Sequence, residues 1–193
     1  MLVALEGSSP TIRGENNFKY YVWQAYQSTK QAPKTYEKGP AAISWGWSEI
    51  NIRKMANHAC EFIRQNSGEI FLIGWSRGAA ACIQVALDLN RSNFGRAIDA
   101  MFLFDAVDQD GSTQDFLNFI PKNVTTVYHA IATKKGWLDK KIFPTCGRTA
   151  ASNVNVVSKE FNTSHGGIAG SGDQGDAGSK EWMWANLRKE GVL

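Results

Sequence analysis

The stretch Phe71-Leu72-Ile73-Gly74-Trp75-Ser76-Arg77-Gly78-Ala79-Ala80-Ala81 constrains the fold more than any other part of this chain. An apolar run drives into Gly-x-Ser-x-Gly, and small helix formers follow at once. Such a pattern predicts a strand, a sharp turn with the serine at its apex, and a helix that leaves the turn immediately. The turn is strained and its flanks must be small, which Gly74 and Gly78 satisfy. The helix that begins behind the serine aims its first N–H groups at the apex, where negative charge is favoured. Ser76 is therefore a candidate nucleophile, and Arg77, the residue after it, a candidate backbone donor to an oxyanion.

The surrounding pattern agrees with a strand–turn–helix unit inside an α/β protein. Apolar strand-like runs cover residues 2–6, 69–74, 98–104, 124–131 and 154–158. Helical periodicity covers 16–28, 77–90 and 179–189, and a helix capped around Ser48 and Asn51 runs to Ser67-Gly68. A short strand over 41–45 and a short helix over 112–119 complete the reading, while the polar, Pro- and Gly-punctuated stretch 30–40 reads as a surface connection. Strands alternating with helices predict a mostly parallel sheet of about five to six strands flanked by helices. At 193 residues, without internal repeat or linker, the chain is expected to form one domain, 1–193. The long stretch 133–153 is the least readable part, and a loop of that length is a candidate flap over a site.

Composition removes several classes of function. Hydrophobic residues make up 43% and charged residues 20%, values of a folded globule rather than a disordered chain. A net charge of +3 with interleaved signs does not point to nucleic acid. No run approaches the ~18 apolar residues of a membrane helix. The start of the chain lacks the basic segment of a signal peptide, so a cytoplasmic location is expected. The three cysteines, Cys60, Cys82 and Cys146, have no metal-binding spacing and read as buried thiols in a reducing compartment. No metal or organic cofactor is expected.

A serine hydroxyl needs an imidazole base, and the base needs a carboxylate to fix its tautomer. In α/β-hydrolases, whose nucleophile sits on a strand-to-helix turn of this kind, the acid and then the histidine follow the serine in the chain. Two histidines follow Ser76. His165 lies in Ser164-His165-Gly166-Gly167, a loop that can turn tightly toward another element, and is the candidate base. His129 lies inside a strand pattern and reads as a partly buried, hydrogen-bonded strand residue, with the role of base as the lesser alternative; His58 precedes the serine on the polar side of a helix. For the acid, Asp105 ends the strand after the elbow, where open sheets place their sites. Asp108 and Asp110 on the same loop compete with it, and Asp139 and Asp173 are weaker candidates. A second oxyanion donor is expected from the loop after the first strand, Gly7 and Ser8. Trp45, Trp47 and Trp75 are candidates to line an apolar acyl pocket, with core packing as the plainer reading.

Several pieces occur in one order: Leu5-Glu6-Gly7-Ser8, Lys38-Gly39-Pro40, the Gly-Trp-Ser-Arg-Gly-Ala elbow, Phe104-Asp105-Ala106-Val107, Tyr128-His129-Ala130-Ile131 and Ser164-His165-Gly166-Gly167. That order resembles the α/β-hydrolase family of uncharacterised bacterial and fungal proteins that also includes phospholipase effectors of type VI secretion. The resemblance implies a compact α/β-hydrolase with Ser76 as nucleophile, His165 as base and Asp105 as acid. This chain has Glu6 where the family usually shows Asp, and Gly166 where it often has an acidic residue. The expected activity is hydrolysis of a carboxylic ester, of a small molecule or a lipid, through an acyl-enzyme. An amidase or peptidase with the same three residues, or a non-catalytic binding module on the same fold, are the rival readings.

Overall fold

Strands buried on both faces need apolar residues at every position, and the central runs of this chain supply them. The computed structural model describes residues 1–8, 20–40, 50–109, 112–113, 115–134, 145–171 and 175–193. Its elements are β1 (Leu2–Leu5), α1 (Tyr21–Ser28), β2 (Lys34–Glu37), α2 (Ile52–Gln65), β3 (Phe71–Trp75), α3 (Arg77–Arg91), β4 (Ile98–Phe104), β5 (Phe119–Ile120), β6 (Val124–Ala132), β7 (Thr149–Ala150), β8 (Asn155–Phe161) and α4 (Ser179–Lys189). The main sheet has six strands in the order β2-β1-β3-β4-β6-β8, and every neighbouring pair is parallel. β5 and β7 form a separate two-stranded parallel ribbon.

Alternate residues of the central strands feed two cores. Val3, Leu5, Leu72, Met101, Leu103 and Val127 pack with α2 and α3 on one face. Leu2, Ala4, Phe71, Ile73, Phe102 and Tyr128 pack with α1 and α4 on the other. The small residues Ala79, Ala80 and Ala81 let α3 lie close against the sheet, and all three are buried. Asn51 caps α2, its side chain accepting the Lys54 N–H at 2.9 Å.

Two expectations fail. Within the stretch read as a surface connection, Lys34–Glu37 forms β2, paired in register with Leu2–Leu5. An edge strand bonds on one side only and stays half-buried, so it does not need the apolar run that would reveal it. Over 112–119, the described residues form bends and a turn that lead into β5, not a helix. Asp115 is the reason: its backbone N–H turns to Thr113 Oγ at 3.3 Å, and its carboxylate takes both Arg91 nitrogens at 2.6 and 2.8 Å. Local and ionic bonds there outbid helical ones. The strand read at 41–45, Ser48 and the first residues of the helix read at 16–28 lie outside the described residues.

The order of the strands creates the site. β1 pairs with β2 on one side and β3 on the other, so the chain reverses direction across the sheet between them. At such a point the loops leaving the two strands diverge to opposite faces and open a crevice at the strands' carboxyl ends. Gly7 and Ser8 leave β1 there, and Ser76 leaves β3.

Candidate active site

Ser76 sits between β3 and α3 with φ 55° and ψ −124°, in the region that L residues avoid. Such a conformation costs ~1–3 kcal/mol and persists only where neighbours impose it. Here the Ser76 N–H donates to the Phe104 carbonyl at 3.0 Å, and its own carbonyl accepts from Val107 at 3.2 Å and Ala80 at 3.0 Å. Gly78 is required by close approach: a Cβ there would overlap the Leu5 carbonyl oxygen. A Cβ on Gly74 would come within 2.6 Å of the Gly78 and Ala79 backbone. The motif's glycines thus let α3 begin directly against β1.

The structure brings Ser76, His165 and Asp105 into one hydrogen-bonded chain. His165 Nε2 lies 2.9 Å from Ser76 Oγ, and His165 Nδ1 lies 2.7 Å from Asp105 Oδ2. An ionised carboxylate only accepts, so Nδ1 carries the proton in this network and Nε2 is left to accept from the serine hydroxyl. Asp105 is fully buried, and its other oxygen accepts the Ala132 N–H at 3.4 Å. Its backbone has φ 40°, a second strained residue in the site, and its N–H donates to the Ala130 carbonyl at 2.7 Å. His165 follows Ser164, whose hydroxyl accepts the Gly167 N–H at 3.0 Å and whose carbonyl accepts the Ile168 N–H at 3.1 Å. The loop is fastened to α4 by Ser179, whose hydroxyl donates to the Ile168 carbonyl at 2.7 Å.

Around the first loop, the Arg77 guanidinium Nε donates to Ser8 Oγ at 2.7 Å, tying the residue after the candidate nucleophile to the end of β1. The Gly7 N–H donates to Glu6 Oε1 at 3.2 Å, and Tyr36 hydroxyl donates to Glu6 Oε2 at 3.1 Å. Glu6 is buried, and burial pushes its carboxyl up to about 7 although Gly7, Tyr36 and the Trp23 backbone all donate to it.

The remaining candidates separate. His129 is buried on the α3 side of the sheet and bonded at both ring nitrogens, Nε2 accepting the Ala106 N–H and Nδ1 facing the Gly147 carbonyl, each at 3.3 Å. His58 is a surface residue against Glu37 at 3.2 Å. Asp108 lies on the loop beyond Val107; Asp110, Asp139 and Asp173, like Trp45 and Trp47, lie outside the described residues. Trp75 is a buried core residue whose indole N–H donates to the His165 carbonyl at 3.0 Å, its ring 5.7 Å from the imidazole. Sequence reading missed that role, and missed Glu6; the one signal for Glu6 was a carboxylate directly following an otherwise apolar strand. Cys60, Cys82 and Cys146 are buried. Among the described residues, no helix is long and apolar enough to cross a membrane and no group of His, Cys, Asp or Glu could hold a metal ion.

No family model and no curated protein sequence matches the chain. Solved structures are similar in fold. The NocB thioesterase domain, in covalent complex with a fluorophosphonate nocardicin G analog, matches with a TM-score of 0.55 and 12% identity over 97% of this chain and 92% of that one. RedJ with a PEG molecule bound in its active site matches with 0.53 and 12% over 98% and 91%. The Vlm2 thioesterase domain, carrying genetically encoded 2,3-diaminopropionic acid and a dodecadepsipeptide, matches with 0.53 and 11% over 100% and 94%. The fold is α/β-hydrolase-like, a parallel six-stranded sheet flanked by helices.

Proposed function

We propose that this chain is a serine hydrolase acting as one domain on a carboxylic ester, with Ser76 as nucleophile, His165 as base and Asp105 as the acid that orients it. The observation that carries the reading is the 2.9 Å and 2.7 Å hydrogen-bonded chain from Ser76 through His165 to a fully buried Asp105. In this mechanism Ser76 Oγ attacks the ester carbonyl while its proton passes to His165 Nε2. The tetrahedral oxyanion is held by the N–H of Arg77 at the start of α3 and by the N–H of Ser8. Gly7, whose own N–H is directed to Glu6, supplies the turn that brings Ser8 there. The C–O bond of the ester then breaks and His165 returns the proton to the departing alcohol. A water molecule, deprotonated by His165, hydrolyses the acyl-enzyme and restores Ser76.

The acyl-transfer class is further supported by the thioesterase domains that share the fold, which make a thioester the second substrate to test. The lipid version of the reading rests on the sequence's resemblance to a family that includes phospholipase effectors. The test is a panel of oxygen esters, thioesters and amides of graded acyl length, run beside Ser76→Ala and beside labelling by a fluorophosphonate. Ester turnover and labelling that both vanish in Ser76→Ala are expected. Absence of labelling in the native protein would instead favour a binding module, and faster turnover of amides than esters would favour an amidase.

A further inference from the structure

We infer that His129 is a positioning residue for the Asp105 carboxylate, acting through the peptide N–H of Ala106; the inference rests on the roles proposed above for Ser76, His165 and Asp105. β6 grips the turn after β4 at three successive points. The Ala130 carbonyl takes the Asp105 N–H at 2.7 Å, the Ala132 N–H reaches Asp105 Oδ1 at 3.4 Å, and His129 Nε2 takes the Ala106 N–H at 3.3 Å. The third contact is made by a side chain. A peptide N–H can only donate, so Nε2 is unprotonated and Nδ1 carries the proton toward the Gly147 carbonyl at 3.3 Å. A neutral imidazole of one tautomer meets both demands.

The turn needs such a hold. Asp105 lies at φ 40°, and a strained residue relaxes unless its neighbours over-determine it. The peptide between Asp105 and Ala106 is joined to the Cα that carries the carboxylate. With the Ala106 N–H released, one of the bonds that hold Asp105 in its strained conformation is gone, and relaxation of that residue would loosen the bond to His165 Nδ1. The position of His129 is otherwise unexpected: it is opposite Leu103, on the face where Leu103 and Val127 meet α3, and it is fully buried. A polar ring there is costly unless both of its nitrogens are used.

Two substitutions separate the two bonds. In His129→Gln the amide oxygen falls where Nε2 stands and still accepts from Ala106. In His129→Asn the amide nitrogen falls where Nδ1 stands and still donates to Gly147, while the Ala106 N–H is left without an acceptor. Steady-state kinetics on the fastest ester, together with urea unfolding, are measured for both variants, alone and combined with Asp105→Asn. His129→Asn is expected to lower kcat by roughly 10- to 100-fold with KM little changed, and His129→Gln to recover most of that loss. In the Asp105→Asn background His129→Asn should cost less than threefold more, because the group it positions is already disabled. The inference is overturned if folded His129→Asn keeps its kcat, if Gln is as damaging as Asn, or if the cost persists undiminished beside Asp105→Asn. Should His129→Asn not fold, a folded His129→Gln that loses tenfold or more in kcat overturns it equally, and one that loses less supports it. A loss under tenfold in Asp105→Asn alone removes the Ser76–His165–Asp105 reading, and this inference with it.

Discussion

Replacing Asp105 by Asn tests the proposed chemistry most sharply, because the substitution keeps shape and volume and changes only what the two side-chain atoms can do. In the native site both carboxylate oxygens accept: Oδ2 from His165 Nδ1 at 2.7 Å, Oδ1 from the Ala132 N–H at 3.4 Å. An amide has one acceptor for these two donors. The Ala132 peptide cannot give up its proton, whereas the imidazole can move its proton to the other nitrogen at little cost. The amide therefore settles with its oxygen on Ala132 and its NH₂ facing His165 Nδ1. That arrangement places the imidazole proton on Nε2, pointing at Ser76 Oγ, and the base is lost. The expected loss is about 10⁴ in kcat, or about 5 kcal/mol in the barrier, the size associated with the wrong tautomer in triads of this type. Hydrolysis of the best ester in the panel would be followed beside urea unfolding of both proteins. A folded Asp105→Asn protein that loses less than tenfold would refute the argument. So would a carboxylate other than Asp105 whose replacement is more damaging; Asp108→Asn is expected to cost less than tenfold.

Ser76→Ala should abolish turnover while leaving the unfolding midpoint near the native value, and appreciable hydrolysis by the folded variant would end the covalent mechanism. His165→Ala should be about as damaging as Ser76→Ala, whereas His129→Ala should keep at least about a hundredfold more activity than His165→Ala; the reverse order would mean that the base is misassigned. Glu6 makes folding pH-dependent: its carboxyl holds a proton up to about 7 in the fold but only to an ordinary 4.5 when released. Between those values the folded state binds more protons than the unfolded one, so stability falls as pH rises through that window, by about 3 kcal/mol in all. Urea midpoints at pH 5 and pH 8 should show this slope flattened in Glu6→Gln, and equal slopes in the two proteins would contradict it. Gly78→Ala should lower both the melting temperature and kcat, since a Cβ there overlaps the Leu5 carbonyl and pushes α3 from β1; an unchanged melting curve would show that the approach is looser than described.

Much of the architecture is legible in the chain because it is written in local patterns. The strand read at 98–104 is Ile98–Phe104, and the helix read at 179–189 is Ser179–Lys189. Both are short-range periodicities with clear punctuation. The elbow is legible for the same reason, since Gly74, Ser76 and Gly78 satisfy a steric demand within five residues. β2 is not legible, because an edge strand such as Lys34–Glu37 draws its stability from pairing with Leu2–Leu5 rather than from its own apolar run. The failed helix over 112–119 has the same origin: Asp115 is committed to Arg91 on another element. The chain by itself narrows the candidate acid to five aspartates, three of them near the end of one strand. Only the folded sheet brings Asp105, and its partner 60 positions away, to within 2.7 Å. The chain likewise shows a tryptophan, a glutamate and a second histidine without saying what they do. Trp75 holds the His165 carbonyl, Glu6 takes the Tyr36 hydroxyl from the neighbouring strand, and His129 holds the Ala106 N–H, and each bond joins residues far apart in the sequence. Residue type and local spacing determined most of the elements and the chemistry available to them. Which donor meets which acceptor was decided by tertiary structure, because a hydrogen bond needs its two atoms within about 3 Å and sequence separation says nothing about that distance.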